Sequence, residues 1–265
     1  MQSYRGLFKM SFKGELQYRA KAISGVTTQF FWGIMYIYLY TAFMGGNIIE
    51  GFSISQMASF IWLGQAFFVL RYIDLPKKCA KEIENGDVCY KFVRPINLYN
   101  QWYFEYIGSK LSATLLRFLP IILIAFLLPS NIGLSLPVSL SAFILFLIAL
   151  IIGTLMTGAI SMIAVYLTFK TQSAKGTIGI VSTITNVLGG FFIPIPLMPQ
   201  AIQNVLNYLP FRFIVDLPFR IYIGNVGTSS AIMFIGISFV WLIGLLALGK
   251  FLMNKALKKT VVQGG

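Results

Sequence analysis

Residues 137–169 read PVSLSAFILFLIALIIGTLMTGAISMIAVYLTF and contain no charged side chain. A helix that crosses the hydrocarbon core of a bilayer needs about 20 apolar residues. The run is therefore too long for one perpendicular crossing and too short for two. We expect either one tilted helix that projects into water or a helix that is broken near Gly153.

Five further apolar segments have the length of a single crossing. They are residues 22–44, 55–72, 109–128, 177–194 and 228–253. The composition agrees, because the chain is 57% hydrophobic and only 11% charged, whereas a soluble domain carries about 25% charged residues. The sequence therefore predicts an all-α integral membrane protein with six transmembrane helices in a single domain, residues 1–265.

Lysine and arginine are unevenly distributed among the connecting segments. The net charge is +13, and the basic residues cluster before the first span, in residues 71–110, between the fourth and fifth spans, and after the sixth. The opposite connections hold only Arg212 and Arg220. Basic loops stay in the cytoplasm, so we expect both termini to be cytoplasmic, and this placement argues against a nucleic-acid partner. Arg117 lies inside the third span, where a structural partner is favoured over contact with a transported molecule.

The N-terminal segment, residues 1–21, alternates charged with apolar residues. This pattern predicts an amphipathic helix that lies on the inner membrane surface and contacts lipid. A simple cytoplasmic extension of the first span is an equally good interpretation.

The outer connection, residues 195–227, is apolar and rich in proline. We expect a re-entrant hairpin of two short helices that dips partway into the outer leaflet. Arg212, Asp216 and Arg220 are spaced i, i+4, i+8 and form a charged ladder if they share one helix. Pro218 is a candidate to break that helix, and anchoring at the membrane interface is the alternative. We treat the three residues as a candidate outer gate.

Several kinds of chemistry are excluded by the residue types. The chain has no histidine and two cysteines, Cys79 and Cys89, so Ser-His and Cys-His catalysis and a zinc site are not expected. Residues 244–250 match most of a phosphate-binding loop, but Phe251 stands where that loop needs Ser or Thr, and the segment lies in a span. We therefore expect no enzyme activity, cofactor or metal on this chain.

The inner connection, residues 74–108, contains a compact charged element. Glu82, Glu84 and Asp87 lie close together around Asn85-Gly86, which is a strong turn signal. Arg94-Pro95 then favours an extended residue before a new helix. Such an element between two spans is a good docking surface for a cytoplasmic partner, and a solvated loop is the alternative.

Three groups of motifs together resemble the permease subunits of ABC-2 exporters. The first is Gly86-Asp87-Val-Cys-Tyr-Lys-Phe-Val-Arg94-Pro95, in which Phe-Val replaces the usual leucines, followed by Glu105-Tyr-Ile-Gly108. The second is the outer series of Pro196-Leu-Met-Pro199, Leu209-Pro210-Phe211, Leu217-Pro218-Phe219-Arg220 and Gly224, and the third is the N-terminal opening. The order and spacing are most similar to small permeases of viologen and antibiotic exporters.

The resemblance implies the type V exporter architecture in a bacterial cytoplasmic membrane. Two permeases, identical or homologous, pair above two copies of a separate ABC ATPase, which hold ATP and magnesium. A coupling helix between spans two and three fits a groove of the ATPase. The coupling residues would be Lys77, Lys78, Lys81, Glu82, Glu84, Asn85, Gly86, Asp87 and Arg94. The cargo would be an amphipathic drug, antibiotic, peptide or lipid-like molecule, and an ATPase-independent secondary transporter or channel is the alternative.

Two groups of side chains are candidates for the cargo pathway or the dimer interface. The fifth span carries a stripe of small and polar residues at helical spacing, which favours close helix packing and also suits contact with cargo. Its members are Gly179, Ser182, Thr183, Asn186, Gly189 and Gly190. In the aromatic first two spans we single out Gln29, Trp32, Tyr36 and Gln65, while most aromatic residues there are expected to face lipid.

Overall fold

The computed structural model describes residues 2–45, 52–76, 79–91 and 96–259, and all regular elements of these residues are helical. The α-helices are α1 (Gln2–Leu16), α2 (Arg19–Met44), α3 (Ile54–Ala66), α4 (Phe68–Arg71), α5 (Cys79–Glu84), α6 (Leu98–Leu127), α7 (Leu140–Thr171), α8 (Ala174–Leu188), α9 (Gln200–Leu206), α10 (Asp216–Tyr222) and α11 (Thr228–Lys259). Short 3-10 turns span Asp87–Lys91, Ile195–Leu197 and Pro210–Phe213.

Within the described residues, three helices are long and apolar enough to cross a membrane. They are α6, α7 and the Thr228–Leu257 part of α11. The chain is therefore an integral membrane protein. The other predicted spans correspond to α2, to α3 together with α4, and to α8, so the count of six crossings stays a prediction.

The helix α7 runs without a break through the stretch that decides the fold. Ser139 caps its first turn, because the Ser139 hydroxyl accepts a hydrogen bond from the Ala142 N–H (3.1 Å). The alternative of a break near Gly153 is not what the structure shows. A β-carbon at Gly153 would lie 2.9 Å from the carbonyl oxygen of Phe213, so this glycine lets the backbone of the outer segment pack directly on α7.

Two predicted spans are interrupted or shortened. Residues 55–72 form α3 and α4, which meet at Phe67, and the Phe67 ring stacks on that of Phe118 with 5.6 Å between centroids. Helix α8 ends at Leu188 instead of continuing to residue 194. The cause is Gly190, whose φ of +75° is a left-handed conformation that ends a helix.

Helix α6 begins at Leu98, well before the predicted start of the third span at residue 109. The Asn97 side chain caps it by accepting a hydrogen bond from the Asn100 N–H (3.1 Å). Helix α1, which covers most of the predicted segment 1–21, packs along this extension. A β-carbon at Gly108 would lie only 2.6 Å from the carbonyl oxygen of Phe8, so the two backbones touch. The position of α1 on a membrane surface stays a prediction.

Long-range contacts group the connections at two ends of the bundle. At the end that we call the basic end, Glu84 contacts Ala174 (2.8 Å between Oε1 and N), and Gly249 approaches the ring of Tyr99. At the opposite end, Ser55 contacts Ser135 (2.8 Å between hydroxyls). The first set comes from the segments predicted to be inner and the second from those predicted to be outer, and the side of the membrane that each faces stays a prediction.

The outer segment, residues 195–227, contains α9 and α10 with two 3-10 turns. The predicted pair of short helices corresponds to α9 and α10. Every residue from Arg212 to Phe219 is buried, and α10 packs on α7. Burial against protein satisfies a backbone of this irregular kind. Entry into the outer leaflet stays a prediction.

Candidate functional site

The charged element at the basic end is a short helix followed by a tight turn. Helix α5 buries Cys79 and Ile83 and exposes Lys81. Gly86 then adopts a φ of +80°, which a residue with a side chain rarely takes. Asn85, Gly86 and Asp87 are exposed. A helix therefore lies where the coupling helix was expected, and its turn faces away from the bundle.

The three acids of this element are in different environments. Glu82 forms an ion pair with Lys91 (2.6 Å), and both side chains are half-buried. Glu84 accepts a hydrogen bond from the Ala174 N–H, the first residue of α8. A carboxylate at this position satisfies an otherwise unpaired N–H and complements the helix dipole. Glu84 and Asp87 are both exposed and neither forms an ion pair among the described residues, but only Asp87 also has no side-chain hydrogen bond there.

The structure gives little information on the remaining predicted coupling residues. Lys77, Lys78 and Arg94 lie outside the described residues. Burial is the main cause that raises the pKa of the Cys79 thiol well above its ordinary value, and the negative charge of the neighbouring Glu82 adds to it. The positive charge of Lys91 acts in the opposite direction and does not cancel the increase. The thiol is therefore protonated at neutral pH.

A buried cation lies at the junction of α4 and α8. Arg71 is 3% exposed, and its Nη1 donates a hydrogen bond to Oδ1 of Asn186 (2.6 Å). Its guanidinium carbon lies 3.0 Å from the centre of the Phe191 ring and 4.4 Å from that of Phe68. The sequence analysis counted Arg71 only as an inner basic residue and missed this site. The one available signal was its position at the end of an apolar run.

The small and polar stripe of the predicted fifth span divides between two environments. Asn186 is buried, and its amide nitrogen donates to the carbonyl oxygen of Ser182 (2.8 Å). Gly189 is buried too, since a β-carbon there would lie 3.1 Å from the carbonyl oxygen of Phe211. Gly179 and Thr183 face outward. The stripe therefore combines an internal packing edge with an exposed edge.

The aromatic candidates of the first two spans also separate. Tyr36 and Gln65 line a cavity of about 20 Å³ together with Phe191, and the ring of Tyr36 meets that of Phe191 edge-on (6.4 Å). Trp32 is 41% exposed. Gln29 is buried but does not line this cavity. The structure thus brings Tyr36, Gln65 and, through Phe191, Arg71 into one neighbourhood.

The three outer charged residues meet in one buried cluster. Oδ2 of Asp216 lies 3.5 Å from a guanidinium nitrogen of both Arg212 and Arg220. Arg212 also donates to the side chain of Asn207. Arg212 lies on a 3-10 turn and the other two on α10, so the condition for a ladder along one helix is not met. Pro218 lies in the first turn of α10, where its missing N–H costs nothing.

Two cations in long helices have structural contacts. Lys110, which the sequence analysis did not single out, is buried in α6. Its Nζ binds Asp74 (2.9 Å) and the Tyr72 carbonyl oxygen (2.8 Å). Arg117 lies against α2, where a β-carbon at Gly25 would be 2.9 Å from the guanidinium. Both therefore hold other segments to α6.

Comparison with known proteins supports the resemblance drawn from the motifs. A family described as ABC-2 family transporter protein matches residues 30–264. The matched region includes α3 to α11 and most of α2. No curated protein matches the chain.

Proposed function

This chain belongs to the ABC-2 family of transporter proteins, and we propose that it is the permease subunit of an ATP-driven exporter. The family match over residues 30–264 is the observation that carries the proposal. The exporter contains two permeases, identical or homologous, and two copies of a separate ABC ATPase that binds ATP and magnesium. It moves an amphipathic drug, antibiotic, peptide or lipid-like cargo out of the cell.

The topology that we propose has six crossings of a bacterial cytoplasmic membrane. The distribution of Lys and Arg supports placing the basic end, and with it both termini, in the cytoplasm. The outer segment then forms a re-entrant cap, and the cluster of Arg212, Asp216 and Arg220 is its candidate gate. The apolar exposed faces of α7 and α11 suit contact with lipid.

The ATPase docks on the exposed turn of residues 85–87, with Lys81 at its edge. This position is supported by the exposure of these residues at the basic end and by their place between the predicted second and third spans. Since Glu82 is paired with Lys91, Asp87 is the acid best placed for a contact with the partner.

Movement of the docked element reaches the bundle through Glu84. Its carboxylate holds the first N–H of α8, and α5 also packs on α7. A displacement of α5 therefore pulls on the start of α8 and on the end of α7. In the proposed mechanism, closure of the ATPase dimer shifts these helices and opens the pathway outward.

The second permease docks along the exposed edge of α8. Gly179 and Thr183 lie there beside the exposed side chains of Ile180, Ile184 and Val187. Small residues on a helix in lipid allow close approach of another helix. This edge is continuous with the internal edge that carries Asn186, so dimer contact and cargo pathway are adjacent.

The test is purification of the tagged chain with its ATPase and measurement of ATP hydrolysis in lipid nanodiscs. We expect Asp87→Lys, alone or with Glu84→Lys, to abolish the response of hydrolysis to cargo. Lys255→Glu, which alters an exposed charge on α11 at the same end, is the matched control and should behave as wild type. Transport without any ATPase would instead support a secondary transporter or channel.

A further inference from the structure

We propose that Arg71 binds the anionic group of an amphipathic molecule, a carboxylate or phosphate attached to an apolar body, between α4 and α8. The inference deepens the proposed function and rests on it for the view that the molecule is transported. Neither the family match nor the motifs of the sequence assign a ligand to this residue.

The guanidinium of Arg71 is incompletely satisfied. Nη1 donates to Asn186, whereas Nε and Nη2 are buried without a hydrogen-bond partner among the described residues. These residues also give Arg71 no ion pair. Burying a charge without a counter-charge in a membrane protein costs several kcal/mol, so a site of this kind favours an added anion.

Other buried cations of the chain show what Arg71 lacks. Lys110 is 5% exposed and binds the carboxylate of Asp74. Arg212 is 2% exposed and lies beside the carboxylate of Asp216. Arg71 is as deeply buried as these two, yet its contacts are one amide oxygen and two aromatic faces. Of these three buried cations, Arg71 alone has no carboxylate partner among the described residues.

The geometry of the free nitrogens selects the ligand chemistry. Nε and Nη2 of an arginine lie on one edge of a rigid planar group and match the two oxygens of a carboxylate or phosphate. Asn186 fixes the orientation of the guanidinium, because its own amide nitrogen is held by Ser182. The group is thus pre-oriented for bidentate binding.

The surroundings of Arg71 indicate an apolar body for the same ligand. Phe68 and Phe191 cover the guanidinium, and the adjoining cavity is lined mostly by apolar and aromatic side chains. At about 20 Å³ this cavity holds little more than one water, so the site is closed. Phe191 follows Gly189-Gly190, and Gly190 is in a left-handed conformation. Rotation of this segment moves the Phe191 ring away and makes room beside Arg71.

The test compares a charged probe with its neutral analogue. We would measure binding of 11-(dansylamino)undecanoate and of its methyl ester to the full-length chain, with its ATPase, in phosphatidylcholine nanodiscs without ATP. Wild type should bind the acid about tenfold more tightly than the ester, as expected for one well-placed charge contact. Arg71→Met should bring the ratio to about one while leaving ester binding unchanged, and Arg71→Lys should keep part of the preference.

Unchanged ester binding and an unchanged elution volume show that Arg71→Met is folded. Lys255→Gln, which removes an exposed positive charge near the end of α11, should keep the wild-type preference. An equal preference in wild type and Arg71→Met, or no preference in wild type, overturns the inference. The assay measures binding and uses neither ATP hydrolysis nor transport. The result of the binding assay can therefore be interpreted even if the proposed exporter function is wrong.

A second arm distinguishes the two sources of such an anion. Phosphatidylglycerol is added to the nanodiscs at increasing fractions. If it competes with the probe in wild type but not in Arg71→Lys or Arg71→Met, a lipid headgroup occupies the site. If it does not compete, the site is selective for a free amphiphile. In either case the anion depends on Arg71, as proposed.

Discussion

Replacing Asp216 by leucine should destabilise the outer segment more than any other single change in its charged cluster. Asp216 is fully buried, and its carboxylate is shared by Arg212, which is 2% exposed, and by Arg220, whose side chain is 18% exposed. Removing the acid leaves the Arg212 guanidinium buried beside a second cation. Breaking a buried pair in this way costs about 3–5 kcal/mol.

The structure sets the expected cost near the lower end of that range. Both contacts to Asp216 are 3.5 Å long, which is the outer limit for a hydrogen bond, and Arg212 keeps its contact with Asn207. We therefore expect a loss of about 3 kcal/mol, which corresponds to an apparent Tm lower by about 6–12 °C.

The assay is thermal unfolding followed by intrinsic tryptophan fluorescence in dodecyl maltoside. Trp241 reports on the segment directly, because its indole N–H donates to the Tyr208 carbonyl oxygen (2.9 Å). Arg220→Met should cost less than Arg212→Met, since Arg220 is the more exposed of the two. The double variant Arg212→Met with Asp216→Leu should recover most of the loss, because an apolar pair replaces the charges. A wild-type Tm for Asp216→Leu, or a double variant with additive losses, would refute the reasoning.

Two further predictions concern the basic end. Gly108→Ala should loosen α1 from α6, because the added β-carbon would lie 2.6 Å from the Phe8 carbonyl oxygen. Trypsin should then cut after Arg5 and Lys9 faster than in wild type, whereas Gly244→Ala, at a position with open space, should be digested at the wild-type rate. Equal digestion rates for wild type and both variants would count against the close contact. In a Cys89→Ser background, Cys79 should react with maleimide slowly at pH 8 in the folded protein and quickly in SDS, because burial raises the pKa of this thiol and so lowers its thiolate fraction. Fast labelling of the folded protein would contradict its burial.

The long apolar runs were predictable because length and hydropathy alone decide them. Helix α7 covers residues 140–169 of the predicted stretch without a break, and the motifs alone indicate the family. The break at Phe67 was not predictable, since residues 55–72 contain no proline and no charged residue before Arg71. There the packing of one aromatic ring on three helices, through Phe118, Phe146 and Phe219, is a tertiary effect that local sequence does not encode.

Charges were the least predictable part, because sequence spacing does not tell which partner a side chain meets. Glu82, Glu84 and Asp87 looked equivalent, yet one pairs with Lys91 and one caps α8. Arg71 looked like a topology signal and is instead buried. In each case the side chain contacts a residue from another element of the chain, and the two residues meet only in the folded protein.

Helix α8 connects the two proposals, because both of its ends are held by charged contacts. Glu84 binds its first N–H, and Arg71 binds Asn186 about 18 Å further along the axis, at a rise of about 1.5 Å per residue. If α8 moves as a rigid rod, a pull at Ala174 must alter the Arg71–Asn186 contact, so ATPase movement and anion binding are coupled through one helix. The two contacts can be tested separately, because Glu84→Gln removes the carboxylate charge and leaves Arg71 in place. This variant should reduce cargo-stimulated ATP hydrolysis and should retain the preference for the anionic probe. Loss of both properties in Glu84→Gln would show that this contact maintains the bundle and does not transmit movement.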